Sequence, residues 1–110
     1  ISLTAKGTGS VELSKAAFSS STITANGAAN TGATLIIGNK GSQLDVSLAD
    51  GTTVGEYKIF TNKGAGAMHV TPDNFAQGTK FVLAQNDGCT CVWDGSNWFL
   101  VGNQGEVTVS

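Results

Sequence analysis

Apolar and polar residues alternate along most of this chain. A period of two places the apolar side chains on one face of a β-strand, whereas no stretch of a dozen residues shows the 3.6-residue period of an amphipathic helix. The clearest case is the segment 43–49, where two leucines and a valine alternate with aspartate, serine and alanine. The pattern predicts an all-β protein.

Eleven segments follow this strand pattern, and their starts lie about ten residues apart. Asn-Gly and Asp-Gly pairs between them, such as Asp94-Gly95, supply turn residues. The segment 71–75 is predicted to be a loop with room for one helical turn, and a short helix is an alternative at 14–18. This spacing favours a small antiparallel β-sandwich or barrel-like domain. The predicted strands are 2–5, 10–14, 21–25, 33–38, 43–49, 56–62, 67–71, 79–84, 90–94, 97–102 and 106–110.

One of these predicted strands is apolar on both sides. Alternation places Tyr57, Ile59 and Thr61 on its inner face. Lys58 and Phe60 then lie on the outer face. Because Phe60 makes that outer face apolar, we expect another part of the protein to cover it.

Two segments, 26–33 and 64–67, are rich in glycine and alanine. We expect them to be flexible loops. The alternative is that the backbones of neighbouring chains approach closely there, as in tightly wound trimers, because glycine has no side chain to keep them apart.

The composition is that of a weakly charged, glycine-rich domain of 110 residues. Charged residues make up 13% of the chain, against about 25% in an average soluble domain, and glycine contributes 15 residues. The six basic residues are all lysines, and the net charge is −2, so we expect no nucleic-acid binding. The longest apolar run, 98–101, is far shorter than the roughly 20 residues of a membrane-spanning helix, so we expect no membrane contact.

No combination of residues predicts a catalytic, cofactor or metal site. Cys89 and Cys91 would lie about 6.5 to 7 Å apart in a strand, at the limit of disulfide geometry, so we expect free thiols or a bond to a neighbouring subunit. The chain lacks the ligands for a tetrahedral zinc site, since it has a single histidine. The acidic residues are dispersed, and a hydrolase that uses two carboxylates, with Asp87 and Asp94 as residues to test, is the least favoured hypothesis.

Aromatic residues are the remaining candidates for recognition. Trp and Tyr side chains stack on sugar rings and are enriched at protein interfaces, and in a small β-domain they also fill the core. We predict a core or subunit-interface role for them and keep a carbohydrate platform as the alternative. The candidate interface or glycan-contact residues are Tyr57, Phe60, His69, Trp93 and Trp98.

Two parts of the chain resemble proteins of tailed bacteriophages. Residues 1–13 read ISLTAKGTGSVEL. This segment resembles the recurring L-T-P-K-G-T-G-x-V segment of phage fibre and other surface proteins, with Ala5 where that family often has proline. The stretch 49–103 contains WDGSNW at 93–98. It is similar to the C-terminal part of structural proteins from marine phages, including cyanophages, in which a W-D-G-S-x-W hairpin closes a small β-domain.

The resemblance implies a non-enzymatic role in the virion, as a tail or head fibre or as a capsid decoration protein, and it suggests a homotrimer. We expect residues 1–20 to form N-terminal connecting strands that continue from a longer chain, and residues 21–110 to form a single β-domain. The expected partners are further copies of the chain and other virion proteins, at the surface of the particle. The alternative function is a carbohydrate-binding module that recognises a host surface glycan.

Overall fold

Ten β-strands form two five-stranded sheets in the computed structural model, which describes residues 3, 4 and 7–110. Sheet 1 has the strand order β1-β3-β5-β8-β9, and sheet 2 has the order β10-β7-β6-β4-β2. The strands are β1 Ser20–Ile23, β2 Gly27–Ala28, β3 Leu35–Gly38, β4 Leu44–Leu48, β5 Tyr57–Asn62, β6 Met68–Pro72, β7 Phe81–Leu83, β8 Gly88–Trp93, β9 Trp98–Gln104 and β10 Thr108–Val109.

The first six strands alternate between the two sheets. In sheet 1, Leu35 of β3 lies beside Ser20 of β1, and Ile59 of β5 lies beside Leu35, in parallel pairings. In sheet 2, β2, β4 and β6 are parallel in the same way. These strands therefore form three successive coils, each of which contributes one strand to each sheet. Strands β7 to β10 extend the sheets by antiparallel pairings.

The predicted all-β class is confirmed, and the two packed sheets are consistent with a small β-sandwich. The sheets are mixed, however, and only their second half follows the antiparallel arrangement that we predicted. Short connections between alternating strands do not imply hairpins when each connection crosses from one sheet to the other.

The core fills the space between the sheets. Leu44, Val46 and Leu48 point inward from β4, as the alternation predicted. Phe60 of sheet 1 meets Phe81 of sheet 2 edge to face, with 5.5 Å between the ring centroids. Buried apolar side chains from both sheets thus form one contiguous core.

The predicted facing of β5 is wrong. Lys58 and Phe60 are buried, at 4% and 0% exposure, and Asn62 is buried with them. Tyr57 and Ile59 lie on the outer face of sheet 1 instead. A shift of one residue reverses every side chain of a strand, and here the buried polar groups find partners inside the domain.

Several local predictions also differ from the structure. The segments 10–14 and 14–18 form neither a strand nor a helix, and no helical turn occurs at 71–75. The predicted strand 2–5 includes residues 2 and 5, which lie outside the described residues. Strand β2 lies within the segment 26–33, which we predicted to be a loop.

No helix long and apolar enough to cross a membrane is found in the described residues.

The glycines of the segment 64–67 allow two coils of the same chain to touch. A Cβ on Gly66 would lie 1.8 Å from the carbonyl oxygen of Ser42, and one on Gly64 would lie 2.4 Å from the backbone nitrogen of Lys40. The amide of Gly66 also donates a hydrogen bond to the carbonyl of Lys40, at 2.9 Å. The segment is therefore a close approach of backbones, the alternative we considered, but within one chain.

Candidate functional site

The structure separates the five predicted contact residues into two groups. Phe60, Trp93 and Trp98 have exposures of 0%, 5% and 1%, so they belong to the core, one of the two roles predicted for the aromatic residues. They are not available at the surface of the chain. Tyr57 is 37% exposed, and His69 is half-buried. These two residues lie on different sheets.

The outer face of sheet 1 carries a group of neighbouring apolar side chains. Along one row of the sheet, Tyr57 lies beside Val92, and Val92 lies beside Phe99. Along the next row, Leu35 lies beside Ile59. These side chains point away from the core and are half-buried or exposed. We call this surface the apolar face, and it consists of Leu35, Ile37, Tyr57, Ile59, Val92 and Phe99.

The outer face of sheet 2 has the opposite character. Asp45 lies beside His69, and Ser47 lies beside Thr71, in the parallel pair of β4 and β6. All four side chains are exposed or half-buried on the outer face. A sheet that faces water on one side normally carries polar residues there, and sheet 2 follows this rule more closely than sheet 1, whose outer face has Thr61 and Thr90 among apolar residues. A contiguous exposed apolar surface marks an interaction site more often than scattered apolar residues do.

The N-terminal segment begins at the rim of the apolar face. Phe18, two residues before β1, packs edge to face on Tyr57, with 5.5 Å between the ring centroids. Phe18 is still 53% exposed, and further along the segment Val11 and Leu13 are 48% and 64% exposed. The sequence predicted a strand at 10–14, but the segment has no strand pairing in the structure.

A recess of about 290 Å³ lies beside Lys58, lined by residues of both sheets and by the carboxylates of Asp50 and Glu56. The Lys58 ammonium donates hydrogen bonds to the backbone carbonyls of Asn30 and Thr31, at 3.2 and 3.1 Å, and to that of Ala33. Burial lowers the pKa of Lys58 from 10.5, and the nearby Glu56 carboxylate opposes part of this change. Lys58 thus ties the loop between β2 and β3 to sheet 1, a role that the sequence did not reveal.

The carboxylates of the same recess also have partners. Glu56 accepts a hydrogen bond from the amide of Thr52, at 2.8 Å. Asp50 accepts two from the side-chain amide of Asn74, at 2.9 and 3.0 Å. These bonds hold the loops around the recess, so the observed geometry assigns the polar groups a structural role.

Replacing Lys58 by methionine is expected to lower the free energy of unfolding by about 2 kcal/mol near neutral pH, because three carbonyls lose a charged donor. The pKa of Lys58 is lower in the folded chain than in the unfolded one, so the unfolded state binds more protons between the two values. The wild-type chain therefore gains stability as the pH rises through that interval toward 10.5, and the variant does not.

The measurement is urea unfolding of both chains at a series of alkaline pH values. The stability difference between wild type and Lys58→Met should widen as the pH rises. A Lys63→Met variant, whose side chain is exposed, serves as the control and should show no such trend. A difference that narrows with rising pH would mean that folding raises the pKa of Lys58.

The two carboxylates considered for a hydrolase are engaged in turns. Asp94 caps the β8–β9 hairpin, and hydrogen bonds from the amides of Asn97 and Ser96, at 2.7 and 2.8 Å, lower its pKa. Asp87 is buried and accepts a hydrogen bond from the amide of Ala84, at 3.1 Å. Both are occupied as turn residues, as their Asp-Gly sequences suggest.

The cysteines point into the core. Cys89 and Cys91 are free and buried, and the hydrogen bond that the Cys91 thiol donates to Cys89, together with burial, raises the pKa of Cys91. This agrees with free thiols in a strand and leaves neither sulfur at the surface. Across residues 3, 4 and 7–110, no three side chains of the metal-binding types come together.

No protein-family profile matches this chain, and no curated protein shows significant similarity to it. The features that bear on function are therefore geometric. They are the apolar face, the polar outer face of sheet 2, and the exposed apolar side chains of the N-terminal segment.

Proposed function

We propose that this domain is a non-enzymatic structural component of a tailed-phage virion that assembles as a homotrimer through the apolar face. It serves either as the C-terminal domain of a tail or head fibre or as a capsid decoration protein, at the surface of the particle. The observation that carries the proposal is the contrast between the apolar face of sheet 1 and the polar outer face of sheet 2.

Burial of the apolar face supplies the energy for assembly. Removing apolar surface from water is favourable by about 25 cal/mol per Å², and the face carries aliphatic and aromatic side chains in adjacent rows. Charged side chains do not interrupt these rows on the outer face. Closed cyclic symmetry allows each copy to cover the same surface of its neighbour, and the phage resemblance favours three copies.

The composition supports a role in an extracellular particle. Only 13% of the residues are charged, so the surface depends little on charge pairs, which salt screens over about 10 Å at moderate ionic strength. The WDGSNW segment at 93–98, on which the phage resemblance rests, forms the hairpin between β8 and β9, with 5.4 Å between its two tryptophan rings.

The test is the mass of the chain in solution. We expect light scattering at micromolar concentration to give three times the chain mass of 11.2 kDa. Ile59→Lys, which places a charge in the middle of the apolar face, should give a monomer and weaken association at least about 100-fold. Thr71→Lys, on the outer face of sheet 2, is the matched control and should leave the mass unchanged.

A monomeric wild-type chain at micromolar concentration would contradict the homotrimer. Once assembly is established, immunogold electron microscopy of phage particles distinguishes the two virion roles. Label on projecting fibres or at the distal tail indicates a fibre domain, whereas regular label over the head indicates a decoration protein.

Glycan binding is the alternative, and one observation favours it. Tyr57 and Phe99 are the exposed aromatic members of the apolar face, each at 37%, and aromatic rings of this kind stack on sugars. Binding of host polysaccharide, lost in Tyr57→Ala while the chain remains a monomer, would support this function over assembly. Tryptophan fluorescence is a poor probe here, because Trp93 and Trp98 are buried.

A further inference from the structure

We infer that residues 10–14 of the N-terminal segment of each copy pack on the apolar face of a neighbouring copy, so that the assembly is held by exchanged segments. This inference rests on the proposed homo-oligomer and names the part of the partner that covers the face. It concerns two apolar surfaces that a single chain leaves partly exposed, one on the segment and one on the sheet.

The segment has the side-chain pattern of a strand that lies on an apolar surface. Val11 and Leu13 alternate with Glu12, so an extended backbone puts both apolar side chains on one side and the carboxylate on the other. Val11 and Leu13 are 48% and 64% exposed in the single chain. An apolar stripe of this kind is unfavourable in water and gains free energy when it is covered.

The contact of Phe18 places the end of the segment at the rim of the apolar face of its own chain. Phe18 lies on Tyr57, which is itself part of the apolar face, so the segment starts at the rim of the surface that is to be covered. Before Phe18 the segment 10–17 forms no strand pairing, and Leu13 is 64% exposed. The five residue steps from Phe18 to Leu13 span up to about 17 Å when extended, so Leu13 can lie well away from the contact of Phe18 with its own chain.

Packing between copies can bury both apolar surfaces, the stripe of Val11 and Leu13 and the apolar face of sheet 1. In a closed ring, each copy donates its segment to one neighbour and receives a segment from the other, so no apolar stripe is left over. The apolar face also ends at β9, a seven-residue edge strand of sheet 1. Val101, 60% exposed on this strand, extends the apolar surface to the edge.

The first test compares charge substitutions on the two sides of the segment in the full chain. The double variant Val11→Asp/Leu13→Asp should weaken association at least about tenfold, because two buried aliphatic side chains are lost. The double variant Ser10→Asp/Ser14→Asp puts the same charges on the side of Glu12 and should change association by about twofold or less. Sedimentation velocity over a concentration series measures both.

The second test identifies the chain that receives the segment. A photoreactive benzoylphenylalanine at position 13 is introduced into tagged copies, which are mixed with untagged copies and irradiated. Cross-links between tagged and untagged chains, mapped to sheet 1, support the exchange. Cross-links found only within one chain overturn it.

The outcomes separate this inference from the proposed function. If Ile59→Lys gives a monomer while Val11→Asp/Leu13→Asp associates as tightly as Ser10→Asp/Ser14→Asp, the apolar face is the interface and the segment exchange is wrong. If Ile59→Lys leaves the mass of the assembly unchanged, the proposed interface itself is wrong. Circular dichroism of each variant confirms that the fold is retained.

Discussion

Gly66→Ala is expected to lower the free energy of unfolding by about 3 kcal/mol or more, because the new methyl group has no room. Its Cβ would lie 1.8 Å from the carbonyl oxygen of Ser42 and 2.6 Å from the Cα of the same residue. These are backbone atoms, which cannot move aside as a flexible side chain can. The coils that contain Ser42 and Gly66 would have to separate, and the hydrogen bond from the Gly66 amide to the Lys40 carbonyl would then be lost.

Thermal unfolding followed by circular dichroism measures this loss, with an expected fall in the melting temperature of roughly 10 °C. Gly41→Ala is the matched control, since a Cβ at Gly41 would meet no atom within 4 Å. It should change the stability by about 0.5 kcal/mol or less. If the two variants were equally stable, the close contact between 40–42 and 64–66 would not exist in solution.

Strand β4 was predictable because only one of its faces is apolar. Leu44, Val46 and Leu48 alternate with polar residues. One facing of the strand buries these three apolar side chains, and the other would expose all three to water. Register is strongly specified wherever one face alone suits the core. The predicted segment 43–49 accordingly contains the observed strand.

Strand β5 was mispredicted because neither of its faces is distinctly polar. Counting apolar residues favoured an inward-facing Tyr57 and Ile59. The buried side is stabilised instead by partners remote in sequence: Lys58 donates to carbonyls of the loop that follows β2, and Asn62 donates to the carbonyl of Leu83, at 3.0 Å. Alternation alone contains no information about these hydrogen bonds.

The parallel coils were not predictable from periodicity. The offset between paired residues is 15 from Ser20 to Leu35 and 24 from Leu35 to Ile59, so no fixed repeat marks successive coils. A short connection between two strands fits a hairpin within one sheet and a crossing between two sheets equally well. The distinction depends on backbone contacts such as that of Gly66 with Ser42.

The candidate interface was predictable only in part. Alternation identifies which side chains of a strand share a face, and Tyr57 was among the residues considered. It does not show which face of a sheet remains open, because that depends on where the second sheet packs. Leu35 and Ile37 look like core residues in sequence, and only the position of sheet 2 places them on the outside.

Truncation should therefore affect two neighbouring residues of β9 differently. At Trp98 it should lower the stability of the fold, and at Phe99 it should mainly weaken association between copies. Trp98 is 1% exposed, its indole nitrogen donates to the carbonyl of Ala49 at 3.0 Å, and its ring lies 5.4 Å from that of Trp93. Trp98→Ala is expected to lower the free energy of unfolding by about 4 kcal/mol, because it leaves a large cavity between the sheets. Trp98→Phe, which retains a ring but loses the donor, should cost about half as much.

Phe99 points to the other side of the same strand and is 37% exposed. Phe99→Ala should lower the stability of the isolated chain by about 1 kcal/mol or less, since its side chain contributes little to the core. The same variant should weaken association at least about tenfold, because an aromatic side chain is lost from the apolar face. Urea unfolding at concentrations where the chain is monomeric, and sedimentation at higher concentrations, separate the two effects.

The pair of results decides what the apolar face is for. If Phe99→Ala changes neither stability nor association, the exposed row of Tyr57, Val92 and Phe99 is not an interface between copies. If it destabilises the monomer as much as Trp98→Ala does, Phe99 belongs to the core and the facing of β9 is reversed. The expected outcome, a stable monomer that associates poorly, arises only when the inner side of β9 holds the fold together and the outer side binds another copy.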